Sequence, residues 1–199
     1  MSKTDQLNIY GLDDLETVAS SVETDEAYTF DTPKYPTIKT VMDFYGEIGL
    51  DPTSNPEKSI PAKHHFTKED NCLIQDWTGK GPVFMNPPYS TAKPFLEKAL
   101  EEYHAGNVPE VIFLLLSTTA SNRKVGPLLR SGCSAFCLMH GRPPFRFGSS
   151  ARKGEHGSLP VPSVLFYAGK RPTQFCREFM RLGTTAYTYP LDSILMDIA

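Results

Sequence analysis

The sequence of 199 residues predicts an α/β fold in which helices cover both faces of a mostly parallel central sheet. Two short apolar runs with strand character, residues 82–85 and 111–116, flank a segment whose apolar residues recur at helical spacing. A strand, a helix and a strand in this order predict a parallel crossover, which is the basic unit of such a sheet. The length allows one sizeable hydrophobic core, so we expect a single domain over residues 28–199.

The amino-terminal part contains a predicted arm, a helix, a strand and a loop. Residues 1–27 are polar and acidic with little periodicity, which favours a mobile arm outside the core. A helix that stops at Gly49 is then predicted from apolar residues spaced three and four apart: Ile38, Val41, Met42, Tyr45 and Ile48. A short strand should end near Leu50, and the Pro, Asn and Asp residues of 51–56 are typical of a loop.

The remaining elements follow the same alternation. Residues 95–103 predict a helix that ends at Gly106, and residues 124–131 predict a further helix. Two later apolar segments, residues 135–139 and 163–167, predict strands. The Gly-, Ser- and Pro-rich stretch at 141–158 is expected to be a mobile loop.

The net charge of −3 hides a strong asymmetry along the chain. Twelve acidic and three basic residues lie between positions 1 and 57, whereas seven basic and no acidic residues lie between 111 and 154. A segment without internal neutralisation can bind an anionic partner such as a phosphate backbone. Alternatively, these bases are solvated and pair with the acidic amino-terminal part.

The cysteines and the amino terminus exclude several classes of protein. The four cysteines have no CxxC spacing, which favours buried or inert thiols in a reducing cytoplasm over a metal site. The first residues contain no apolar run of the kind that would predict a signal peptide or a membrane span. The sequence indicates no oligomeric state.

The sequence Asn86-Pro87-Pro88-Tyr89 follows the apolar run 82–85 and therefore lies at the carboxyl end of a predicted strand. Ligands of open α/β sheets bind beyond such strand ends. The Asn side-chain oxygen and the carbonyl of the next proline can both accept hydrogen bonds from one amino group, while the tyrosine ring can stack on a base. The alternatives are a rigid turn or a polyproline ligand, and the position between a strand and a helix disfavours the ligand.

These residues match the Asn-Pro-Pro-Tyr signature of amino-methyltransferases, and the segment from Tyr28 to Tyr167 resembles the compact phage-type DNA N6-adenine methyltransferases, which are related to Dam. The resemblance is carried by ordered elements: Thr32-Pro33, Asp51-Pro52-Thr53-Ser54-Asn55, Thr67-Lys68-Glu69-Asp70-Asn71-Cys72-Leu73, Asp76-Trp77, Gly141-Arg142-Pro143-Pro144-Phe145 and Pro162-Ser163-Val164-Leu165-Phe166. It implies a Rossmann-like fold and S-adenosylmethionine as the cofactor.

The resemblance also implies roles for single residues. Thr32 and Pro33 would hold the methionine end of the cofactor, Asp51 would supply an acidic group there, and Ser54 and Asn55 would line the pocket. Asp70 would accept a hydrogen bond from the cofactor's adenine or ribose. For each of these residues a cap or turn role is the competing interpretation, and Trp77 is expected to lie in the core. No glycine-rich loop lies between residues 50 and 56, and the compact phage-type relatives share this absence.

The implied activity is methylation of the N6 amino group of adenine in DNA, after the base has been flipped out of a double strand. We expect the phosphate backbone to be bound by basic residues of the 141–158 stretch: Arg142, Arg146, Arg152 and Lys153. Arg142 has a competing role in supporting the fold. The same signature would also serve a methyltransferase acting on RNA or on a protein glutamine. A further alternative is an inactive relative that only binds nucleic acid.

Overall fold

The computed structural model describes residues 28–29, 36–141, 143–147, 156–158 and 162–188. Ten strands lie in this part of the chain: β1 (Tyr28–Thr29), β2 (Ile48–Asp51), β3 (Ala62–His65), β4 (Val83–Met85), β5 (Val111–Leu116), β6 (Ala135–Met139), β7 (Pro144–Phe147), β8 (His156–Ser158), β9 (Ser163–Ala168) and β10 (Gly183–Tyr187). Five α-helices accompany them: α1 (Pro36–Tyr45), α2 (Ala92–His104), α3 (Ser117–Ala120), α4 (Gly126–Gly132) and α5 (Pro172–Phe179). The predicted arm at residues 1–27 lies outside the described residues.

Seven strands form the main sheet in the order β3-β2-β4-β5-β9-β6-β10. Strands β3, β2, β4 and β5 are parallel to one another, and β9, β6 and β10 follow with antiparallel pairings. The predicted α/β fold with a mostly parallel sheet is therefore confirmed, since five of the seven strands run in one direction. The edge at which β2, β4 and β5 end is named the carboxyl edge, and the opposite one the amino edge.

The hydrophobic core has two layers, one on each face of the main sheet. Helices α1 and α5 cover one face, where Ile38, Phe84 and Phe175 are fully buried. Helices α2 and α4 cover the other face, where Leu96 and Trp77 are buried. Trp77 has no exposed surface and donates its indole N–H to the Cys72 carbonyl at 3.0 Å, which confirms its predicted core position.

The first helix is shorter than predicted. It ends at Tyr45, and Ile48 belongs to β2, because Gly46 adopts a φ of 79° that reverses the chain after the last helical turn. Gly49 lies inside β2 and does not end the helix. A β-carbon at this position would approach the Lys80 carbonyl oxygen to 2.1 Å, so only glycine fits there.

The stretch at 141–158 contains strands, in contrast to the predicted loop. Strands β7 and β8 pair with each other, and β1 pairs with the other side of β7, so that the three strands form a second sheet. Their backbone hydrogen bonds connect this stretch to residues more than one hundred positions earlier. Such long-range pairing overrides the glycine and serine content that favoured a loop.

The other predicted elements agree with the structure. The strands at 135–139 and 163–167, the helices at 95–103 and 124–131, and the loop at 51–56 occur within a few residues of their predicted bounds. Strand β5 is buried along its whole length, as its apolar run predicted. Cys72, Cys133 and Cys137 are buried free thiols and Cys176 is half-buried. None of the described helices has the length and apolar character to cross a membrane.

Candidate active site

The Asn86-Pro87-Pro88-Tyr89 motif begins directly after β4, at the carboxyl edge of the main sheet. Pro87 and Pro88 have no backbone N–H, so β-ladder hydrogen bonding cannot continue beyond this point. The Pro88 carbonyl accepts the Thr91 N–H at 3.2 Å and closes a 3₁₀ turn, which leads into α2. Asn86 and Tyr89 are partly exposed, whereas Pro87 is buried. The motif is therefore a rigid connection with two accessible polar side chains.

Within the motif, the two polar side chains contact each other. The Tyr89 hydroxyl donates to the Asn86 Oδ1 at 2.7 Å, which orients the side-chain amide with its oxygen toward the tyrosine. A carbonyl oxygen has two lone pairs and can accept two hydrogen bonds. No described residue donates to the Pro87 carbonyl. The motif therefore offers two acceptors to a bound amino group.

The loop after β2 contributes a buried carboxyl group to the same edge. Asp51 is only 3% exposed, and burial raises the pKa of its carboxyl to about 7. Hydrogen bonds from the Thr53 N–H, at 3.2 Å, and from Ser54 favour the ionised form but do not offset the burial. No cationic side chain of the described residues forms an ion pair with Asp51. A cationic ligand group would favour the ionised form of this carboxyl.

The strand order brings the two loops together. Strand β2 pairs with β3 on one side and β4 on the other, so the chain leaves β2 in one direction and later returns on its opposite side. A crevice at the carboxyl ends of strands is expected at such a switch point. The Asn86 N–H donates to the Thr53 Oγ1 at 3.2 Å, which links the motif to the Asp51 loop across this position.

Ser54 and Asn55 lie in the Asp51 loop, and their side chains form local contacts. Ser54 is buried, and its single hydroxyl hydrogen is shared between the Asp51 carboxyl and the Asn55 carbonyl, which lies 3.2 Å from the hydroxyl oxygen. The Asn55 side-chain amide bonds to Glu57 and Ser59 and closes the loop. The structure therefore brings both residues to the carboxyl edge, where Asn55 also has the turn-forming role of the competing interpretation.

Asp70 is placed on an exposed turn after β3. One carboxylate oxygen accepts hydrogen bonds from the backbone N–H and the hydroxyl of Thr67, at 2.8 and 2.9 Å. These bonds lower the pKa of the Asp70 carboxyl. Asp70 thus stabilises a turn in this structure, and no contact with Asp51 or Asn86 is observed.

Cys72 was not predicted as a site residue, yet it lies close to Asp51. Burial and the nearby Asp51 carboxylate raise the pKa of the Cys72 thiol to about 12, so the thiol is protonated at neutral pH. A protonated, buried thiol is chemically inert and supplies packing around the carboxyl. Thr53 was also missed, since a threonine in a Pro- and Asn-rich loop has no distinctive sequence signal.

The predicted cofactor and DNA contacts are only partly described. Thr32, Pro33, Arg142, Arg152 and Lys153 lie outside the described residues. The backbone of Arg146 belongs to β7, where it pairs with Thr29 and His156.

Three other residues of the basic segment are described: Arg123, Lys124 and Arg130 are exposed. The acidic Asp43 and Glu47 of the amino-terminal part pair instead with Lys39, Arg181 and Lys63, none of which belongs to that segment.

Comparison with known proteins identifies related sequences. A family model described as DNA N-6-adenine-methyltransferase (Dam) matches residues 19–167, about three quarters of the chain. A protein of Haemophilus phage HP1 named DNA N-6-adenine-methyltransferase is 27% identical over 110 residues, which are 55% of this chain and 62% of that protein. An Escherichia phage T1 protein of the same name is 32% identical over 76 residues, which are 38% of this chain and 32% of that protein.

The chain therefore spans less than two thirds of the length of either phage relative. Among solved structures, a presumed RNA methyltransferase from Pyrococcus horikoshii superposes with a TM-score of 0.38 and 14% identity, over 78% of this chain and 97% of that chain. This similarity is too distant to bear on function.

Proposed function

The chain belongs to the DNA N-6-adenine-methyltransferase (Dam) family, and we propose that it transfers a methyl group from S-adenosylmethionine to the N6 amino group of adenine in DNA. The proposal rests on the position of Asn86 at the carboxyl edge, where its backbone N–H bonds to Thr53 of the Asp51 loop. A target nitrogen held by Asn86 would lie next to the loop that carries the buried Asp51 carboxyl. This is the arrangement that methyl transfer between two bound molecules requires.

The motif would act by positioning and by electrostatics. Asn86 Oδ1 and the Pro87 carbonyl accept the two hydrogens of the adenine amino group, which makes the nitrogen lone pair more available for attack. Tyr89 stacks its ring on the adenine and holds the nitrogen in line with the methyl group. S-adenosylmethionine, when bound, supplies an electrophilic methyl group on a sulfonium. Asn86 Oδ1 and the Pro87 carbonyl would hold the nitrogen while its amino group gains the methyl group, and the proton that the nitrogen loses would pass to solvent.

The residues of the Asp51 loop fit this cofactor. S-adenosylmethionine carries an ammonium and a sulfonium, and a buried carboxylate that forms no ion pair with any described side chain is suited to such charges. We assign Asp51 to the amino-acid end of the cofactor, together with Thr32 and Pro33. Ser54 and Asn55 line the pocket, and Asp70 is proposed to reach the adenosine part.

The proposed substrate is double-stranded DNA, from which the adenine is flipped out. Arg142, Arg146, Arg152 and Lys153 are proposed to bind its phosphates. We also propose that residues 28–199 form one catalytic domain, preceded by an arm at residues 1–27. The named relatives are phage proteins, so the proposed place of action is the cytoplasm of the bacterial host.

The proposal can be tested with cofactor that carries a labelled methyl group. The protein is incubated with labelled S-adenosylmethionine and double-stranded DNA, and the DNA is digested to nucleosides. We expect the label in N6-methyldeoxyadenosine. Asn86→Ala and Tyr89→Ala should each lower the rate about 100-fold or more, because each removes a group that contacts the target base. Ser90→Ala changes an exposed neighbour in the same turn and should keep the rate within about threefold of the unmutated chain.

Other results would redirect or overturn the proposal. Label in RNA or in protein glutamine, with none in DNA, would show a methyltransferase of another specificity. Calorimetry that detects no binding of S-adenosylmethionine would leave only a nucleic-acid-binding role. Unfolding of the Asn86→Ala and Tyr89→Ala variants, detected by circular dichroism, would indicate a structural role for the motif.

A further inference from the structure

Thr53 connects the two loops that meet at the carboxyl edge. Its backbone N–H donates to Asp51 Oδ1 and its hydroxyl oxygen accepts the Asn86 N–H, both at 3.2 Å. Leu50 is the register partner of Val83, so Thr53 and Asn86 each lie three residues beyond one matched pair of β2 and β4. A side-chain hydroxyl therefore links the segments that follow β2 and β4, at a point beyond the last backbone pair of these strands.

This link has no backbone substitute within the motif. Proline has no N–H, so Asn86 carries the single backbone donor of the three residues Asn86, Pro87 and Pro88. The structure gives that donor to the Thr53 hydroxyl. On the far side, the Pro88 carbonyl is held by Thr91. Loss of the Thr53 hydroxyl would therefore remove the acceptor that the Asn86 N–H has in the structure, and with it this link to the Asp51 loop.

We propose that Thr53 is a positioning residue for methyl transfer, whose hydroxyl fixes Asn86 relative to the Asp51 loop. This inference rests on the proposed function, since it assigns the target amino group to Asn86 and the methyl donor to the Asp51 side. Thr53 then sets the distance between the two. Displacement of a reacting group by about 1 Å can cost about 100-fold in rate, so one hydrogen bond at this point has a large effect.

The competing interpretation is that Thr53 only stabilises a loop. A structural role would lower the melting temperature and affect cofactor binding and turnover together. A positioning role predicts a loss in the rate of the chemical step with little change in cofactor affinity. It also predicts that serine, which keeps the hydroxyl, restores the rate, whereas valine, which keeps the shape, does not.

The experiment compares Thr53→Val and Thr53→Ser in the full chain, with Thr78→Val as control. Thr78 is an exposed threonine in the loop before β4, at the amino edge. Single-turnover methyl transfer to double-stranded DNA gives the chemical rate, and calorimetry with S-adenosylmethionine gives the affinity. We expect Thr53→Val to lose about tenfold or more in rate with cofactor affinity within about threefold. Thr53→Ser and Thr78→Val should stay within about threefold of the unmutated chain in both.

Amide hydrogen exchange at Asn86 tests the contact without any catalysis. The exchange rate of the Asn86 N–H should rise about tenfold in Thr53→Val and remain unchanged in Thr53→Ser, because only valine lacks the acceptor. Unchanged exchange and rate in Thr53→Val would overturn the inference, as would equal losses in the valine and serine variants. If the unmutated chain transfers no methyl group, the proposed function fails, and Asn86 exchange still decides whether the hydroxyl holds the motif.

Discussion

Asp51 is the residue in which burial and charge conflict most clearly. The ionised form of a carboxyl loses solvation when buried, and among the described residues hydrogen bonds from Thr53 and Ser54 offset part of this loss. The folded-state pKa of about 7 lies above the ordinary value of 3.8. The carboxyl therefore binds a proton more tightly in the folded chain than in the unfolded chain. Its contribution to stability is complete below about pH 4 and is lost as the pH rises through about 7.

We predict that Asp51→Asn makes the chain more stable than the unmutated form at pH 8, and that the difference disappears near pH 4. Asparagine keeps an oxygen for the Thr53 N–H and carries no charge at any pH. The gain at pH 8 has an upper limit of roughly 4 kcal/mol, from about 1.4 kcal/mol for each pKa unit. Urea unfolding of both proteins across this pH range measures the difference.

Asp76→Asn provides a control of the opposite sign. Hydrogen bonds from Thr78 lower the pKa of the exposed Asp76 carboxyl, so its contribution is present above its ordinary pKa and is lost on acidification. This variant should be slightly less stable than the unmutated chain at pH 8. If the unmutated chain and Asp51→Asn differ by the same amount at pH 4 and pH 8, burial does not govern the Asp51 carboxyl.

Single residues of the candidate site differ in how well they could be predicted. Asn86 and Tyr89 belong to a short motif whose chemistry depends on adjacent residues, so sequence alone identifies them. Thr53 acts through a residue 33 positions later, and only the alignment of β2 with β4 reveals that contact. Asp70 matches a family element in the sequence. The structure adds a hydrogen bond within a local turn, and residue spacing alone could not separate this turn role from a cofactor role.

At the scale of elements, the turn at residues 121–125 has a defined position at the carboxyl edge. It lies between α3, which follows the end of β5, and α4, which leads back to the start of β6. Asn122 holds the turn, because its side chain accepts the Lys124 N–H and its carbonyl accepts those of Val125 and Gly126. Arg123 and Lys124 are exposed on this turn and form no ion pair with another described residue.

We predict that the turn binds phosphates of the DNA substrate. The double variant Arg123→Gln/Lys124→Gln should weaken binding to duplexes of any sequence. It should also reduce the slope of log K against log salt by about two, since each phosphate contact contributes about 0.9. Fluorescence anisotropy titrations between about 50 and 200 mM salt measure the slope.

Lys170→Gln is the matched control for this double variant. Lys170 is exposed after the end of β9, which lies at the amino edge because β9 runs antiparallel to β5. The Lys170→Gln variant should therefore leave both the affinity for DNA and the slope of log K against log salt unchanged. An unchanged slope in Arg123→Gln/Lys124→Gln, or an equal loss in Lys170→Gln, would exclude a specific contact by the turn.

Elements were predictable where burial gives them a pattern. Strands β4, β5, β6 and β9 have apolar runs that sequence analysis detected. Strands β3 and β10 have no such run, because they are the edge strands of the main sheet, and Ala62–His65 contains mainly polar residues that are exposed or half-buried. Strands β7 and β8 form by pairing with each other and with the distant β1, which no local pattern encodes.

For the whole molecule, the α/β class followed from the alternation of strands and helices, but the direction of β9 did not. An apolar strand has the same pattern whether it runs parallel or antiparallel to its neighbour. The insertion of β9 between β5 and β6 makes two of the six strand pairings of the main sheet antiparallel. The reversal of strand order at β2, which has β3 on one side and β4 on the other, is likewise visible only in the folded chain.

A polar cluster at the amino edge joins the two halves of this sheet. Glu110, directly before β5, accepts hydrogen bonds from the Tyr167 hydroxyl at 2.6 Å and from Arg171 at 2.5 and 3.3 Å. Arg171 also lies over the Phe44 ring, 4.2 Å from its centroid, and bonds to the Phe44 carbonyl. The cluster therefore connects β5, β9, α1 and the start of α5 around one nearly buried carboxylate.

We predict that Glu110→Gln destabilises the whole fold by roughly 2 kcal/mol, because Arg171, whose side chain is 38% exposed, loses its carboxylate partner and the Tyr167 hydroxyl loses a charged acceptor. Glu97→Gln removes a carboxylate from an exposed pair with Lys93 and should cost less than about 1 kcal/mol. Urea unfolding measures both differences.

Since Glu110 lies at the amino edge and Asn86 at the carboxyl edge, folded Glu110→Gln protein should bind S-adenosylmethionine with unchanged affinity. Equal stability of the two variants would contradict the central role of Glu110, and a selective loss of cofactor affinity would show that the two edges are coupled.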